Sequence, residues 1–281
     1  MITLNKENKL FPEKLKKIKP EIKEIYVEGK IENLNKFGIA IIGSRNYSKE
    51  GEKITNEFSG KLSKAGINII SGLAKGIDSI AHESCIEAKG ITIAVLGSGF
   101  NYIYPKENEK LYKKILETGG TIISEYSPET KPASENFPKR NRIISALSDG
   151  ILVIEGKYRS GTTITAEYGI KQKKPIFSIP HSIYNAYGAC PNTLIKKGGI
   201  LVTNPDEIIE YFIKQGIEIK PEEKIQFDDE ILNILSKEIL TKEELVLKTN
   251  KSISEINQKI TILELEGKIE EYLGKGYRII E

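Results

Sequence analysis

Cysteine and histidine are both scarce in this chain, and where they stand leaves them little chemistry. Only Cys85 and Cys190 occur, far apart, so no disulfide framework is expected and a reduced compartment is implied. The two histidines, His82 and His181, have neither H-E-x-x-H nor C-x-x-C spacing around them. His82 and Cys85 share one turn of a predicted helix that also needs Ile80, Ala81, Ile86 and Ala88 for its apolar face. A packed pair is expected there, and no metal site. Long hydrophobic runs are missing too: "GIAII" and "ITIAVLG" fall far short of the ~18 residues of a membrane span, and the opening "MITLNKENKLF" has no apolar signal core. A cytoplasmic protein without a membrane partner follows as the expectation. Excess charge is also lacking, since 42 Lys and Arg face 39 Asp and Glu for a net charge of +3. Any polyanion must therefore be met by local clustering. Nucleotide fingerprints are absent as well. A G-x-G-x-x-G beginning at Gly43 meets Arg45 and Ser48 instead of glycine, one beginning at Gly97 meets Tyr102, and no G-x-x-x-x-G-K-S/T occurs. No cofactor is implied, and ATP hydrolysis of the P-loop kind is not expected.

What is present is a repeating pattern. Six short apolar runs, "GIAIIG" (38–43), "INIISG" (67–72), "ITIAVLG" (91–97), "GTIISE" (120–125), "GILVIEG" (150–156) and "KPIFSIP" (174–180), alternate with amphipathic stretches near 50–64, 77–89, 108–118, 140–148 and 162–173. Continuous apolar runs separated by helical lengths predict an α/β fold with a doubly wound, mostly parallel Rossmann-like sheet. The expected organisation is a lead-in over 1–36 packed on the core as irregular structure or a short helix, a Rossmann-like domain over 37–214, a linker over 215–228 and a small C-terminal domain over 229–281. Asn204, Pro205 and Glu207 predict a capped helix start near the end of the large domain. In the last segment three amphipathic helices, two of them behind the caps Thr241 and Ser252, precede two strand-like runs that meet at Gly274, Lys275 and Gly276. That is the order of a winged helix. Its third helix carries Glu255, Lys259, Glu264 and Glu266, a poor face for duplex phosphates.

In an open α/β sheet, ligands bind beyond the carboxyl ends of the strands. Here those turns are rich in Gly and Ser: "GSR" (43–45), "SGLAKGID" (71–78), "GSG" (97–99) and "RSGTT" (159–163). Such turns let backbone N–H groups approach a phosphate, and a following helix N-terminus adds its dipole. Tight strand-to-helix packing explains any one of them. Four together, two with arginine, point to anion binding. The stretch "FPKRNR" (137–142) places Lys139, Arg140 and Arg142 at or just before a predicted helix N-terminus, where cations are disfavoured by some tenths of a kcal/mol unless an anion is shared. Phe137 beside them, with Tyr102, Tyr104 and Tyr158 near the other basic turns, matches the single-strand mode of phosphate on cation and base on ring. An ion-paired loop with Phe137 in the core is the competing reading. "GTTITAE" also resembles the G-T-x-x-E turn of cytokinin-activating phosphoribohydrolases, but Thr165 stands where their glutamate belongs and Glu167 points about 200° around the helix.

In order along the chain, "GSR" at 43, "SGLAKGID" at 71, "TIAVLGSG" with "YPKEN" at 104, "SEYSP" at 124, "FPKRNRIISAL" at 137, "SGTTITA" at 160 and "NTLIKKGG" at 192 make the chain resemble the DNA-processing protein A (DprA, or Smf) family. The resemblance implies a Rossmann-like domain, often followed by a winged helix, that binds single-stranded DNA, dimerises and helps load the recombinase RecA in natural transformation. It implies no catalytic residues. Carried over by motif, Ser44 and Arg45 would hold phosphate and Lys106 would add a basic contact. Lys139, Arg140, Asn141 and Arg142 would line the strand path, Gly161, Thr162 and Thr163 would offer backbone donors, and Phe137 would shape a base pocket. The chain departs from the pattern at Pro180-His181, where the family has proline then glycine, and in a longer following loop. No function is carried onto residues 181–191. Two other readings remain at this point: a nucleotide glycosidase using the same turns, and a regulator reading duplex DNA through the winged helix.

Overall fold

The computed structural model describes residues 1–219, 229–236, 238–272, 274 and 276–280. The chain begins with strand β1 (Ile2–Asn5), a one-turn helix α1 (Glu13–Lys16) and β2 (Glu24–Gly29). It then alternates through β3 (Gly38–Ile42), α2 (Lys49–Lys64), β4 (Asn68–Ser71), α3 (Ile77–Glu87), β5 (Thr92–Val95), α4 (Glu109–Glu117), β6 (Thr121–Ser124), α5 (Asn136–Leu147), β7 (Gly150–Val153), α6 (Gly161–Lys171), β8 (Ile176–Ser178), α7 (Ala189–Lys196), β9 (Ile200–Leu201) and α8 (Pro205–Ile213). Strands β3 to β8 are buried along their whole length, which is why their sequences read as unbroken apolar runs. Alternate residues serve opposite faces. Ala40 and Ile42 pack with Leu15, Ile143 and Leu147 on one side, and Ile39 and Ile41 with Phe58, Leu62, Ala81 and Phe212 on the other. Each large side chain so buried contributes about 1.5–3 kcal/mol.

The strands form one sheet in the order β1-β2-β6-β5-β4-β3-β7-β8-β9. All pairings from β6 to β9 are parallel, and the fold is α/β with a mostly parallel sheet. The expectation for residues 1–36 is corrected: β1 and β2 extend the sheet, with β1 antiparallel to β2 and β2 antiparallel to β6. Only alternate residues of β2, Ile25 and Val27, are fully buried, the pattern of a half-covered antiparallel strand. The capping of α8 also differs. Asn204 accepts the Asp206 N–H at 2.8 Å, whereas Glu207 reaches back to the Thr203 N–H (2.8 Å) instead of closing a box on Asn204.

The chain divides into two compact units, Met1–Glu222 and Glu223–Glu281. Residues 220–228 of the expected linker, and Lys275 of the expected turn, lie outside the described residues. The second unit contains α9 (Glu230–Leu235), α10 (Lys242–Thr249), α11 (Ile253–Leu265) and the antiparallel pair β10 (Ile269–Glu271) and β11 (Tyr277–Ile279). Its own core gathers Ile231, Leu245, Ile256, Ile260 and Ile269. Thr241 and Ser252 close reciprocal capping boxes with Glu244 and Glu255, so α10 and α11 start where the sequence places their caps.

Candidate nucleic-acid interface

From β3 the chain winds outward through β4, β5 and β6, then returns to lay β7 against the free side of β3, Ile39 opposite Gly150 and Ile42 opposite Val153. The turns after β3 and β7 consequently leave the sheet in different directions. At such a switch point a crevice opens beyond the carboxyl ends of the strands. Here it is a groove of about 710 Å³. Ser44, Arg45 and Asn46 line it from the first turn, Lys157, Arg159, Gly161 and Thr162 from the second, and Phe137, Arg140 and Asn141 from α5.

The residues named from sequence divide into three groups. Arg45, Phe137 and Gly161 face the groove. Arg45 is exposed, forms no ion pair among the described residues, and holds its guanidinium 5.6 Å from the centre of the Phe137 ring. Phe137 is half-buried: one edge rests on the backbone of Gly97, where an added Cβ would lie 2.6 Å from its Cδ1, and Tyr104 flanks the ring at 5.3 Å. It therefore faces both the core and the groove. Gly161, at the start of α6, has open space where a side chain would be. A second group lines the groove but is committed within it. The Ser44 hydroxyl donates to the Asn46 carbonyl (2.6 Å) and holds its own turn. Asn141 accepts from Arg140 Nε (3.1 Å) and donates to the Gly161 carbonyl (3.2 Å), tying α5 to the start of α6. Thr162 is buried.

The third group corrects the expectation. "FPKRNR" does not precede its helix, because α5 begins at Asn136 and Pro138 sits in its first turn, where a missing N–H costs no intrahelical bond. The helical period then sends the cations apart. Lys139 is exposed and off the groove, and Arg142 is buried against Glu125 (Nη2 to Oε2 2.6 Å). Lys106, in the short turn Lys106–Asn108, is exposed and likewise outside the groove lining. Thr163 accepts from the Ser160 N–H (3.3 Å) and donates to Cys190 Sγ (3.4 Å). Arg140 lines the groove as expected, but its guanidinium is committed to the protein. It donates to the carbonyls of Gly72 (2.7 Å) and Val95, beside Asp78, whose carboxylate accepts the Gly72 N–H at 3.0 Å. Burial lowers the Arg140 pKa to about 10 and raises that of Asp78, each opposed by the other's charge. Two of the four small-residue turns are therefore explained by packing, since Gly72 makes room for Arg140 and Gly97 for Phe137.

The helix N-termini also differ. At α2 the fully buried Glu155 accepts from the Ser48 N–H (2.9 Å) and hydroxyl (2.8 Å), so the protein supplies its own anion there. At α6 the open Gly161 leaves the first turn accessible. Sequence reasoning counted the arginine of the 159–163 turn towards anion binding but carried neither Arg159 nor Lys157 into the named site residues. Their signal was "GKYRSG", two cations around a tyrosine just ahead of a helix cap. Neither forms an ion pair among the described residues. Thr165 lines the groove and Glu167 does not. Among the described lining residues the only carboxylate is Asp78, already held by Arg140.

Among the described residues no helix is long and apolar enough to cross a membrane. A family model described as DNA recombination-mediator protein A matches residues 2–213. Protein Smf of Escherichia coli is 44% identical over 186 residues, 66% of this chain and 50% of that protein, so the chain spans about half of its length. The crystal structure of DNA processing protein A from Streptococcus pneumoniae superposes with a TM-score of 0.70 at 34% identity, covering 74% of this chain and 73% of that one. A structure of DNA processing protein A from Helicobacter pylori, described for its single-stranded DNA binding mode, gives a TM-score of 0.69 at 29% identity over 76% of this chain and 96% of that one. With the family model covering most of the chain and the sheet, turns and groove in place around it, this chain belongs to the DprA/Smf family of DNA recombination-mediator proteins.

Proposed function

We propose that this chain is a sequence-independent single-stranded DNA-binding protein that protects incoming strands and helps load the RecA recombinase in natural transformation and recombination. In this reading it acts in the cytoplasm as a homodimer and has no catalytic residues. The observation that carries the reading is the switch-point groove, lined by Phe137 with the Arg45 guanidinium over its ring and by Lys157 and Arg159, three cations that form no ion pair among the described residues. Cations for the backbone beside a ring for a base suit a flexible single strand. The α6 N-terminus adds accessible donors for a phosphate. That the H. pylori relative is described for a single-stranded DNA binding mode supports a single strand as the ligand. We read the second unit as a winged helix. Residues 229–281 carry 11 acidic against 8 basic residues, which disfavours duplex phosphates and assigns the module to protein contacts.

The test is binding of single-stranded and duplex DNA across a salt series, with the size of the protein measured alongside. Three phosphate contacts per protomer give a logarithmic salt slope of about −2 on single strands, with duplex bound more weakly. Equal affinity for duplex, or release of free base from nucleoside monophosphates, would sink the reading.

A further inference from the structure

The groove does not end at its basic rim. Lys157, Tyr158 and Arg159 are three consecutive exposed residues on the turn between β7 and α6, and both cations lie over tyrosine rings. The Arg159 guanidinium is 5.5 Å from the centre of Tyr158, and the Lys157 ammonium is 5.7 Å from that of Tyr187. Tyr158 is 61% exposed, although a ring of that size is ordinarily covered on at least one side. Arg159 holds a left-handed φ of 56°, a conformation that costs a non-glycine residue on the order of 1 kcal/mol and tends to persist at functional positions.

Tyr187 comes from the loop after β8, the segment that departs from the family pattern, and that loop is fastened to the same turn. The Gly156 N–H donates to the Tyr187 carbonyl at 2.6 Å, and the Cys190 N–H donates to the Gly156 carbonyl at 2.9 Å. His181 Nε2 lies 2.7 Å from the Ile154 carbonyl. Asn192 bonds both the N–H (3.1 Å) and the carbonyl (3.0 Å) of His181, and Asn185 accepts the Tyr187 N–H at 2.9 Å. A side chain at Gly188 would collide with His181. Such a network fixes the Tyr187 backbone at the end of a turn whose Lys157 and Arg159 already line the groove.

We propose that Tyr158 and Tyr187, with Lys157 and Arg159 over their rings, form a second stacking platform that carries a single strand beyond the switch-point groove. The occupant is one or two further nucleotides, phosphates on the two cations and bases on the rings. The assignment rests on the single-strand reading of the groove, and it gives the long loop after β8 the role of delivering Tyr187. Charge and continuity favour a strand over a protein partner, because Lys157 and Arg159, which form no ion pair among the described residues, both line the groove and lie over the rings.

The experiment compares the full chain with Tyr158→Ala and with Tyr158→Ala plus Tyr187→Leu, using oligothymidylates of about 4 to about 16 nucleotides. For the wild type, affinity is expected to climb with length past what the groove holds. Each variant should lose about tenfold on the longest strand and less than about twofold on the shortest, while Tyr158→Phe retains the gain. The exposed Tyr158 keeps the test decisive even if the double variant unfolds. A folded Tyr158→Ala protein with the full length-dependent gain, or with equal loss at every length, overturns the platform. A wild type that binds the shortest strand and gains nothing with length also overturns the platform but leaves the groove standing, whereas a wild type that binds no oligothymidylate overturns both.

Discussion

Replacing Arg140 with methionine would leave Asp78 buried without its counter-charge and the carbonyls of Gly72 and Val95 without a donor. Removing one partner of a buried charge pair costs about 3 kcal/mol or more, and the melting temperature should fall by on the order of 10 °C. Arg45→Ala should behave in the opposite way. Its side chain is exposed and forms no ion pair among the described residues, so stability should stay within ~0.5 kcal/mol, while single-strand affinity drops and the salt slope loses about 0.7. Thermal melts and a salt titration on the two variants separate the arginine that builds the groove from the one that serves it. The sequence grouped them because their surroundings along the chain are alike. What tells them apart is Asp78, a carboxylate beside Arg140 that local spacing cannot connect to "FPKRNR".

Strands β3 to β8 were legible because burial on both faces leaves no polar residue to interrupt them. β1 and β2 were not, because their half-exposed alternation sits among lysines and prolines and resembles a polar lead-in. The glycines after β4 and β5 signalled close approach correctly, but what approaches is Arg140 and Phe137 from α5. The start of α5 was misplaced because Pro138 reads as a stop signal, although the first helical turn accepts it. Helix α2 supports a prediction of its own. Its N-terminus is closed by Glu155 from the far side of the switch point, so one carboxylate both caps the helix and ties the β3 turn to the β7 turn. Glu155→Gln keeps the shape but removes the charge and one acceptor. It should cost about 2 kcal/mol in denaturant unfolding, with single-strand affinity falling as well because Arg45 and Lys157 ride on the two turns. Ser48→Ala should reproduce the stability loss in part.

For the molecule as a whole, acid should be destabilising through His82. The ring is fully buried, and its Nδ1 lies 2.5 Å from the Thr92 hydroxyl. That hydroxyl already donates to the Ile69 carbonyl (2.8 Å), so Nδ1 carries the proton and Nε2 is left bare and without a partner. Burial, aided by the charge of Arg140, lowers its pKa from 6.5 to about 3. The unfolded chain takes up a proton near pH 6.5 while the folded one refuses it until about pH 3. The stability contribution is therefore intact above 6.5 and lost progressively as the pH falls towards 3. Unfolding midpoints measured through that window should decline, and His82→Gln should flatten the decline.

The two turns that face each other across the groove, 43–45 and 156–162, are brought together only when β7 docks on β3. Between them the chain must first lay down β4, β5 and β6 on the other side. During synthesis, a nascent chain carrying Arg45 has no opposite wall to work with until Thr162 has left the ribosome. The groove thus exists only once β7 is in place, and any change that frees β7 from β3 removes one of its walls.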